Sequence, residues 1–370
     1  MLSNPFPGAF GLDIADLSVK VVQLRYPQKL FRSKEPHFEV TVARSTQLPP
    51  GLIVNGELQE PEKLRRYLKH IIEGNGDGMP AIKSPWVVAS LPDPHGYTTL
   101  VDIPKAAADI IEDDIIYAAA QHIPASLDEL YLSWQIMSDI NSEEEITPVL
   151  IGTMSRKVAD MYTYLLESLG LGVVVLESEA IATARAIYGR QQTLIGESVA
   201  VVDLGAVRSS VTICDHNTPQ FTTSLPYSGE ILTSTLAEQL DIPHEQAEQK
   251  KREYGLAFKE QQQLWHVFMN QATESLAKNI QQSIDYYYSH FRNPNRIKKI
   301  LLCGGAAQLK HLDQVLAAKL NVEVIAGDPW YNIVPVKNGV DARKLTLEYE
   351  TCVGLALRAI DNPFVNGDEV

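Results

Sequence analysis

The sequence predicts an α/β protein built as two related lobes, and three observations carry that expectation. Short β-branched runs alternate with amphipathic segments from one end of the chain to the other. A pattern of strand, aspartate, tight turn and strand occurs twice, around residues 13 and 203. The chain has 370 residues, more than one small hydrophobic core organises.

Taken in order, the first hairpin opens with FGLDI, which brings Asp13 to the turn, and returns through Val19 to Leu24. A strand over His37 to Ser45 follows. A helix introduced by Glu60-Pro61 comes next, with Leu64, Tyr67, Leu68, Ile71 and Ile72 at helical spacing. EGNGDGMP (73–80) reads as a glycine-rich loop, and Trp86 to Leu91 as a strand stopped by PDPHG. From Tyr97 to about Leu171 the order changes to strand, helix, strand, strand, helix. Its pieces are TTLVDI, a helix opened by Pro104 and running to Ala120, YLSWQIM, TPVLIGTM, and Val158 to Leu169. Tyr131 and Trp134 in this unit are expected in the core. The larger pattern resumes in GVVVLESEAIATARAI as a buried strand and then a helix.

The second half repeats the plan. SVAVVDLG carries Asp203 and Gly205 to a turn, and Ser210 to Cys214 returns. Helices follow from about Ser228 to Leu240 and from near His244. A long amphipathic helix is marked by Trp265, Phe268, Ala272, Leu276, Ile280, Ile284, Tyr287 and Phe291, a core stripe. KKILLCGGAAQLKHL is a buried strand running through Gly304-Gly305 into a helix. NVEVIAGDP is a strand and TCVGLALRAI a final helix.

Composition excludes several classes. Lys plus Arg is 32 against 46 for Asp plus Glu, a formal charge of −14, which disfavours a nucleic-acid binder. No apolar run approaches the roughly 18–20 residues of a membrane-spanning helix, and the first basic residue is Lys20, so the front end of a signal peptide is lacking. Cys214, Cys303 and Cys352 are far apart and fit neither a disulfide framework nor a zinc site; buried thiols are the expectation.

Four segments combine into one chemistry: GLDIADLSVK (11–20), VVLESEAIATARAI (174–187), VVDLGAVRSS (201–210) and ILLCGGAAQL (300–309). Two aspartate-bearing hairpins facing each other across a cleft offer carboxylates, Asp13 and Asp203, to a Mg²⁺ ion and backbone N–H groups to phosphates. Gly304-Gly305 at a strand end lets the backbone approach a base or ribose. Glu177 on the connecting segment is the candidate that orients a water for attack on a γ-phosphate.

In this order the segments resemble the bilobal actin-like ATPase fold shared by actin, hexokinase and heat-shock chaperones, an RNase H-like unit duplicated. The closest resemblance is to the PilM type IV pilus assembly proteins, relatives of the division protein FtsA. It rests further on HIPASLDELYLSWQI (122–136) and SGEILTSTLAEQLDIPHEQAEQKKREYG (228–255), and it runs nearly end to end. The unit from 97 to 171 resembles the subdomain inserted in FtsA and PilM. The implied division is 1–96 first-lobe core, 97–171 inserted subdomain, 172–195 first-lobe core and connection, 196–345 second lobe with a helical subdomain, and 346–370 connecting helix and tail.

The resemblance implies ATP and Mg²⁺ between the lobes. Asp13 and Asp203 face the metal through water, Ser18 and Lys20 line the first phosphate hairpin, and Asp203 with Gly205 forms the second. Glu248 and Lys251 reach ribose and adenine, and Gly304 and Gly305 form the adenosine segment. Three residues depart from the family pattern: Ala15 and Asp16 where glycine and a hydroxyl are usual, and Arg208 in the second hairpin. A carboxylate beside a triphosphate costs roughly 4 kcal/mol at about 4 Å and an effective dielectric near 20. Arg208 is expected either to reach a phosphate or to pair with Asp16 and close the empty site. Weakened nucleotide binding and negligible hydrolysis follow, so that the protein is non-catalytic or a very weak ATPase.

The same resemblance implies a cytoplasmic scaffold or adaptor, peripheral to the inner membrane through partners, in a type IV pilus, competence or type II secretion platform. Its partners would be the cytoplasmic N-terminal tail of a PilN-like protein, in a groove beside the inserted subdomain, and other platform proteins, with no nucleic acid and no membrane insertion of its own. The chain ends in RAIDNPFVNGDEV, without the basic amphipathic helix of FtsA. Asp109, Glu112, Asp113 and Asp114 on the inserted helix form an acidic face, a solvated surface or a dock for a basic tail. The alternatives are an ATP-dependent conformational switch with real turnover, a sugar-kinase-like phosphotransferase, and an FtsA-like filament former.

Overall fold

The structure, a computed structural model, describes residues 4–26, 38–74, 80–137, 145–188, 196–256, 273–331, 333–335 and 347–361. In chain order the strands are β1 (Phe10–Ala15), β2 (Ser18–Arg25), β3 (Phe38–Gln47), β4 (Ile53–Val54), β5 (Glu57–Leu58), β6 (Trp86–Leu91), β7 (Gly96–Ile103), β8 (Leu130–Ile136), β9 (Thr147–Ser155), β10 (Gly172–Ser178), β11 (Glu197–Leu204), β12 (Ser209–Asp215), β13 (Thr218–Leu225), β14 (Arg296–Cys303), β15 (Glu323–Ala326) and β16 (Ile333–Pro335). The helices are α1 (Pro61–Glu73), α2 (Glu112–His122), α3 (Arg156–Glu167), α4 (Glu179–Ile187), α5 (Gly229–Leu240), α6 (His244–Tyr254), α7 (Glu274–His290), α8 (Leu312–Leu320) and α9 (Glu350–Ile360).

Both aspartate hairpins form. β1 and β2 pair antiparallel with Asp13 opposite Lys20, and β11 and β12 with Asp203 opposite Ser210. The first hairpin sits in a six-stranded sheet ordered β10-β6-β1-β2-β3-β16, the second in an eight-stranded sheet ordered β15-β14-β11-β12-β13-β7-β9-β8. β1 runs parallel to β6, and β11 parallel to β14, so the two halves share the crossover plan of a duplicated α/β unit.

Two helices lie between the sheets. α4 and α9 bury Ala184, Ile187, Cys352, Val353 and Ala356 together with Val22, Val40, Val201 and Leu301 from both sides. Such a layer has no polar face to spare, and α9 (ETCVGLALRAI) is apolar nearly all round for that reason. Outside it, α1 and α3 cover the first sheet through Leu64, Leu68, Tyr162 and Leu166. α5 to α8 cover the second through Leu232, Leu236, Leu276, Ile280, Ile284 and Leu316. The expected stripe of the long helix is thus present from Leu276 onward; Trp265, Phe268 and Ala272 lie outside the described residues, as do 75–79 of the glycine-rich loop and the tail 362–370.

The inserted strands do not stand alone. β7, β9 and β8 extend the second lobe's sheet, joined to β13 through the pair Phe221 and Thr99. α3, at the end of the segment 97–171, packs in the first lobe's core.

Two local expectations are corrected. The helix read from Pro104 to Ala120 begins only at Glu112, after a single 3₁₀ turn at Ala107–Asp109. Ile110 and Ile111 are extended, and Asp114 turns back to accept the Ile111 N–H at 3.1 Å, fixing the start there. Tyr131 and Trp134, expected in the core, are 44% and 37% exposed on the outer strand β8.

Candidate functional site

The cleft between the two hairpins has a volume of about 710 Å³ and gathers all nine residues given to nucleotide contact. Asp13, Ser18 and Lys20 come from the first hairpin, Asp203 and Gly205 from the second, Glu248 and Lys251 from α6, and Gly304 and Gly305 from the end of β14. The departures Ala15, Asp16 and Arg208 line the same space.

Each aspartate is set differently. Asp13 pairs with Lys20 at 3.3 Å and accepts from the Ser90 hydroxyl at 3.0 Å. That hydroxyl in turn accepts the Ile14 N–H at 3.0 Å. The Lys20 ammonium is raised above its ordinary pKa: burial opposes its charge, but Asp13 and Glu350 outweigh burial. Asp203 is less well served. Burial, with the Asp93 charge next, pushes its carboxyl up to about 7, and its Oδ1 is buried without a hydrogen-bond partner among the described residues. Glu350, at the first turn of α9, shares the condition: burial and then Asp203 push it well up, and its Oε2 has no partner there.

Gly304 explains how the backbone comes so close. Its φ is +85°, and a Cβ there would strike the Asp203 carboxylate and the Leu204 carbonyl. Only glycine keeps that corner open.

Arg208 does not point into free space. Its guanidinium is 2.5 Å from Asp16 and 2.8 Å from Glu179, joining the second hairpin to the first and to the start of α4. Asp16 is buried, and its other oxygen accepts the Gly56 N–H at 3.0 Å. The Gly56 carbonyl accepts from the Tyr162 hydroxyl of α3, also at 3.0 Å. Burial opposes the Arg208 charge, yet Glu179 and Asp16 raise its pKa. Burial pushes the Glu179 carboxyl up to about 8 against the pull of Arg208. Of the two outcomes expected for Arg208, the structure shows the pairing with Asp16.

On the far side, Glu248 accepts from Lys251, Arg252 and Thr233 at 2.5–2.6 Å. Burial resists its charge, but those donors hold it down to about 2. Lys251 also donates to the Gly229 carbonyl at 2.9 Å. Gly229 donates its N–H to Gly205 at 3.0 Å, which ties the start of α5 to the second hairpin.

Glu177 is not brought to the cleft. Both of its oxygens are held by Arg185 at 2.5 Å, and it is absent from the cleft lining. The acids that line the cleft from the connecting helices themselves are Glu179 of α4 and Glu350 of α9. The sequence reading missed these two, along with Ser90, Gly56 and Tyr162. Ser90 was visible as the one polar residue in WVVASL, and Gly56 as an Asn-Gly pair between Ile53-Val54 and Glu57-Leu58. Glu350 gave no signal beyond an acid at a helix start.

Comparison with known proteins bears on what the cleft belongs to. A family model described as Type IV pilus assembly protein PilM matches residues 11–360. The structure is similar to a PilM-PilN type IV pilus biogenesis complex, with a TM-score of 0.80 at 21% identity over 96% of this chain and 100% of that one. It is similar also to the ethanolamine utilization protein EutJ from Carboxydothermus hydrogenoformans (TM-score 0.54, 15% identity, 95% of this chain, 90% of that one). MreB 5 of Spiroplasma citri bound to AMPPNP gives a TM-score of 0.52 at 12% identity over 94% of each chain. In sequence, the cell division protein FtsA of Buchnera aphidicola subsp. Baizongia pistaciae (strain Bp) is 24% identical over 210 residues, 50% of this chain and 48% of that protein. The match therefore spans about half the length of that relative. These structural likenesses establish the bilobal actin-like ATPase fold.

Proposed function

The chain belongs to the type IV pilus assembly protein PilM family, and on that premise we propose that it is a cytoplasmic adaptor of a pilus inner-membrane platform. In this reading it holds the cytoplasmic N-terminal tail of a PilN-like membrane protein and carries a nucleotide cleft that binds Mg-ATP weakly and turns it over negligibly. The platform role rests on the family and on the likeness to a PilM-PilN complex. No described helix is long and apolar enough to cross a membrane; in this reading the partner provides the attachment.

One observation carries the nucleotide part: Arg208 already spends its charge on Asp16 and Glu179. A phosphate entering the first hairpin must draw Arg208 away from the buried Asp16 and the half-buried Glu179 or stand beside Asp16 without it, and either path costs affinity. The residues nevertheless fit the ligand. The unpartnered oxygens of Asp203 and Glu350 suit the waters of a hydrated Mg²⁺, and among the described residues no three acidic, histidine or cysteine groups converge to grip a bare ion. The Mg²⁺ of a bound Mg-ATP would place a positive charge beside these carboxylates. Asp13 and Asp203 would hold the ion's waters, Lys20 would stay beside the phosphates, and Glu248 and Lys251 would meet the ribose. Glu177 has no place in that arrangement, and Glu179 is held by Arg208 away from the role of base.

Calorimetry with Mg-ATP tests the cleft: a dissociation constant well above micromolar and no steady phosphate release are expected. Micromolar binding with turnover would establish the ATP-driven switch instead. Co-sedimentation with a PilN-type tail peptide tests the adaptor role, and its absence from the pellet would reject that part alone.

A further inference from the structure

We propose that the first lobe carries a second ligand site, between α1 and the loop after β3, which takes a small organic anion with a flat apolar body. The inference is independent of the nucleotide cleft and of the adaptor reading. A cavity of about 670 Å³ lies there, and it shares no lining residue with the cleft. Its size falls within the roughly 300–1,000 Å³ of small-ligand sites.

The walls are held by the backbone. β3 ends at Gln47, and Pro49-Pro50-Gly51 follows, with φ fixed by the two proline rings and Gly51 at φ +90°. The loop is pinned at both ends. The Leu48 N–H donates to the Leu17 carbonyl at 2.8 Å, and the Leu52 carbonyl accepts the Gln59 and Glu60 N–H groups at 2.9 and 3.2 Å. Leu52 is buried, and the half-buried Tyr67 packs against the same core. Two proline rings and a tyrosine ring thus line the cavity, surfaces that favour a flat apolar body. Walls already in place leave little ordering for the ligand to bring about.

The polar groups come from one face of α1. Lys63, Arg66, Tyr67 and His70 follow each other at helical spacing, and all line the cavity. Four Lys and Arg residues against two Glu make α1 net positive in a chain of −14. The nearby arginines are occupied: Arg44 donates to the Ile71 carbonyl at 2.9 Å, and Arg65 to the Ser168 carbonyl at 3.0 Å. Arg66 has no hydrogen-bond or ion-pair partner among the described residues. The lining carboxylate, Glu60, pairs with Lys63 at 3.0 Å, an exposed and therefore weak pair. A solvated basic face needs no cavity beside it. Here an unengaged guanidinium lines an apolar one, and its planar fork suits phosphate, sulfate or carboxylate. An acidic protein or an anionic membrane would meet the rest of this acidic chain as well; a small anion meets only the patch.

The test is calorimetry on the full chain with 1-naphthyl phosphate, against inorganic phosphate and neutral 1-naphthol. The naphthyl phosphate is expected to bind about tenfold more tightly than either control, with slowed amide exchange at 46–52 and 63–70. Arg66→Glu is expected to abolish that binding with the melting temperature unchanged, and Tyr67→Ala to weaken it severalfold. Arg66 is exposed, so its variant serves if the tyrosine variant folds poorly. Either control binding as tightly, slowed exchange at the two aspartate hairpins instead, or binding retained by Arg66→Glu overturns the proposal, as does no binding of the naphthyl phosphate. A peptide of alternating leucine and glutamate that binds through Arg66 where naphthyl phosphate does not overturns it in favour of a protein partner.

Discussion

Replacing Arg208 by alanine leaves the buried Asp16 and the half-buried Glu179 with no cation between them. Leaving a buried charge unpaired costs about 3 kcal/mol or more, so urea unfolding of Arg208→Ala is expected to show that loss, and Arg208→Ala/Asp16→Ser to regain part of it. Asp16→Ser alone acts on the ligand: it removes one like charge and leaves Arg208 paired with Glu179 only, and calorimetry should find Mg-ATP bound about tenfold more tightly, a gain of roughly 1.4 kcal/mol. Adding Ala15→Gly should increase the gain. The same residues set the pH response. Burial raises Asp203 to about 7 and Glu179 to about 8, above their unfolded values near 4. Between those limits the folded chain holds more protons than the unfolded one, so the stability these groups contribute is full at pH 4 and is lost as pH rises through 7 to 8. The melting temperature is expected to fall across that window, and Asp203→Asn to flatten the fall.

Among the elements, α9 is held closely on two sides. A Cβ at Gly354 would land on the Ala182 carbonyl of α4, and one at Gly11 of β1 would meet the Ala356 amide at 2.5 Å. Gly354→Ala must push the two central helices apart, and a loss of about 2–3 kcal/mol in chemical unfolding is expected. That crossing was legible in the sequence only as an apolar helix, because a helix–helix contact leaves no local pattern. The hairpins were legible because each carries its own signals: β-branched strands, an aspartate and a turn. The register of the acid after β10 was not. Glu177 and Glu179 are two residues apart, and which one enters the cleft depends on where strand gives way to helix. Arg185, eight residues beyond Glu177, decides it by taking that carboxylate. Likewise, Asp16 and Arg208 looked like an excess charge and its remedy from sequence alone. The part played by Gly56 and Tyr162 needed the fold, since they are 40 and 146 residues from Asp16 along the chain.

For the whole molecule, the inserted strands protect as well as extend. β13 would be a bare edge without β7, and excising residues 97–155 is expected to leave a chain that aggregates, read by light scattering, even where the hairpins still form. The join between Phe221 and Thr99 also has a kinematic consequence. The two sheets are linked through the α4–α9 layer, and the insertion meets the second of them again along one strand. Two attachment lines leave a body little freedom but rotation about an axis through both. Any swing of the lobes therefore either shears the Phe221–Thr99 bridge or carries β8 through an arc with the second lobe, which makes the direction of that strand a pointer to the angle of the cleft.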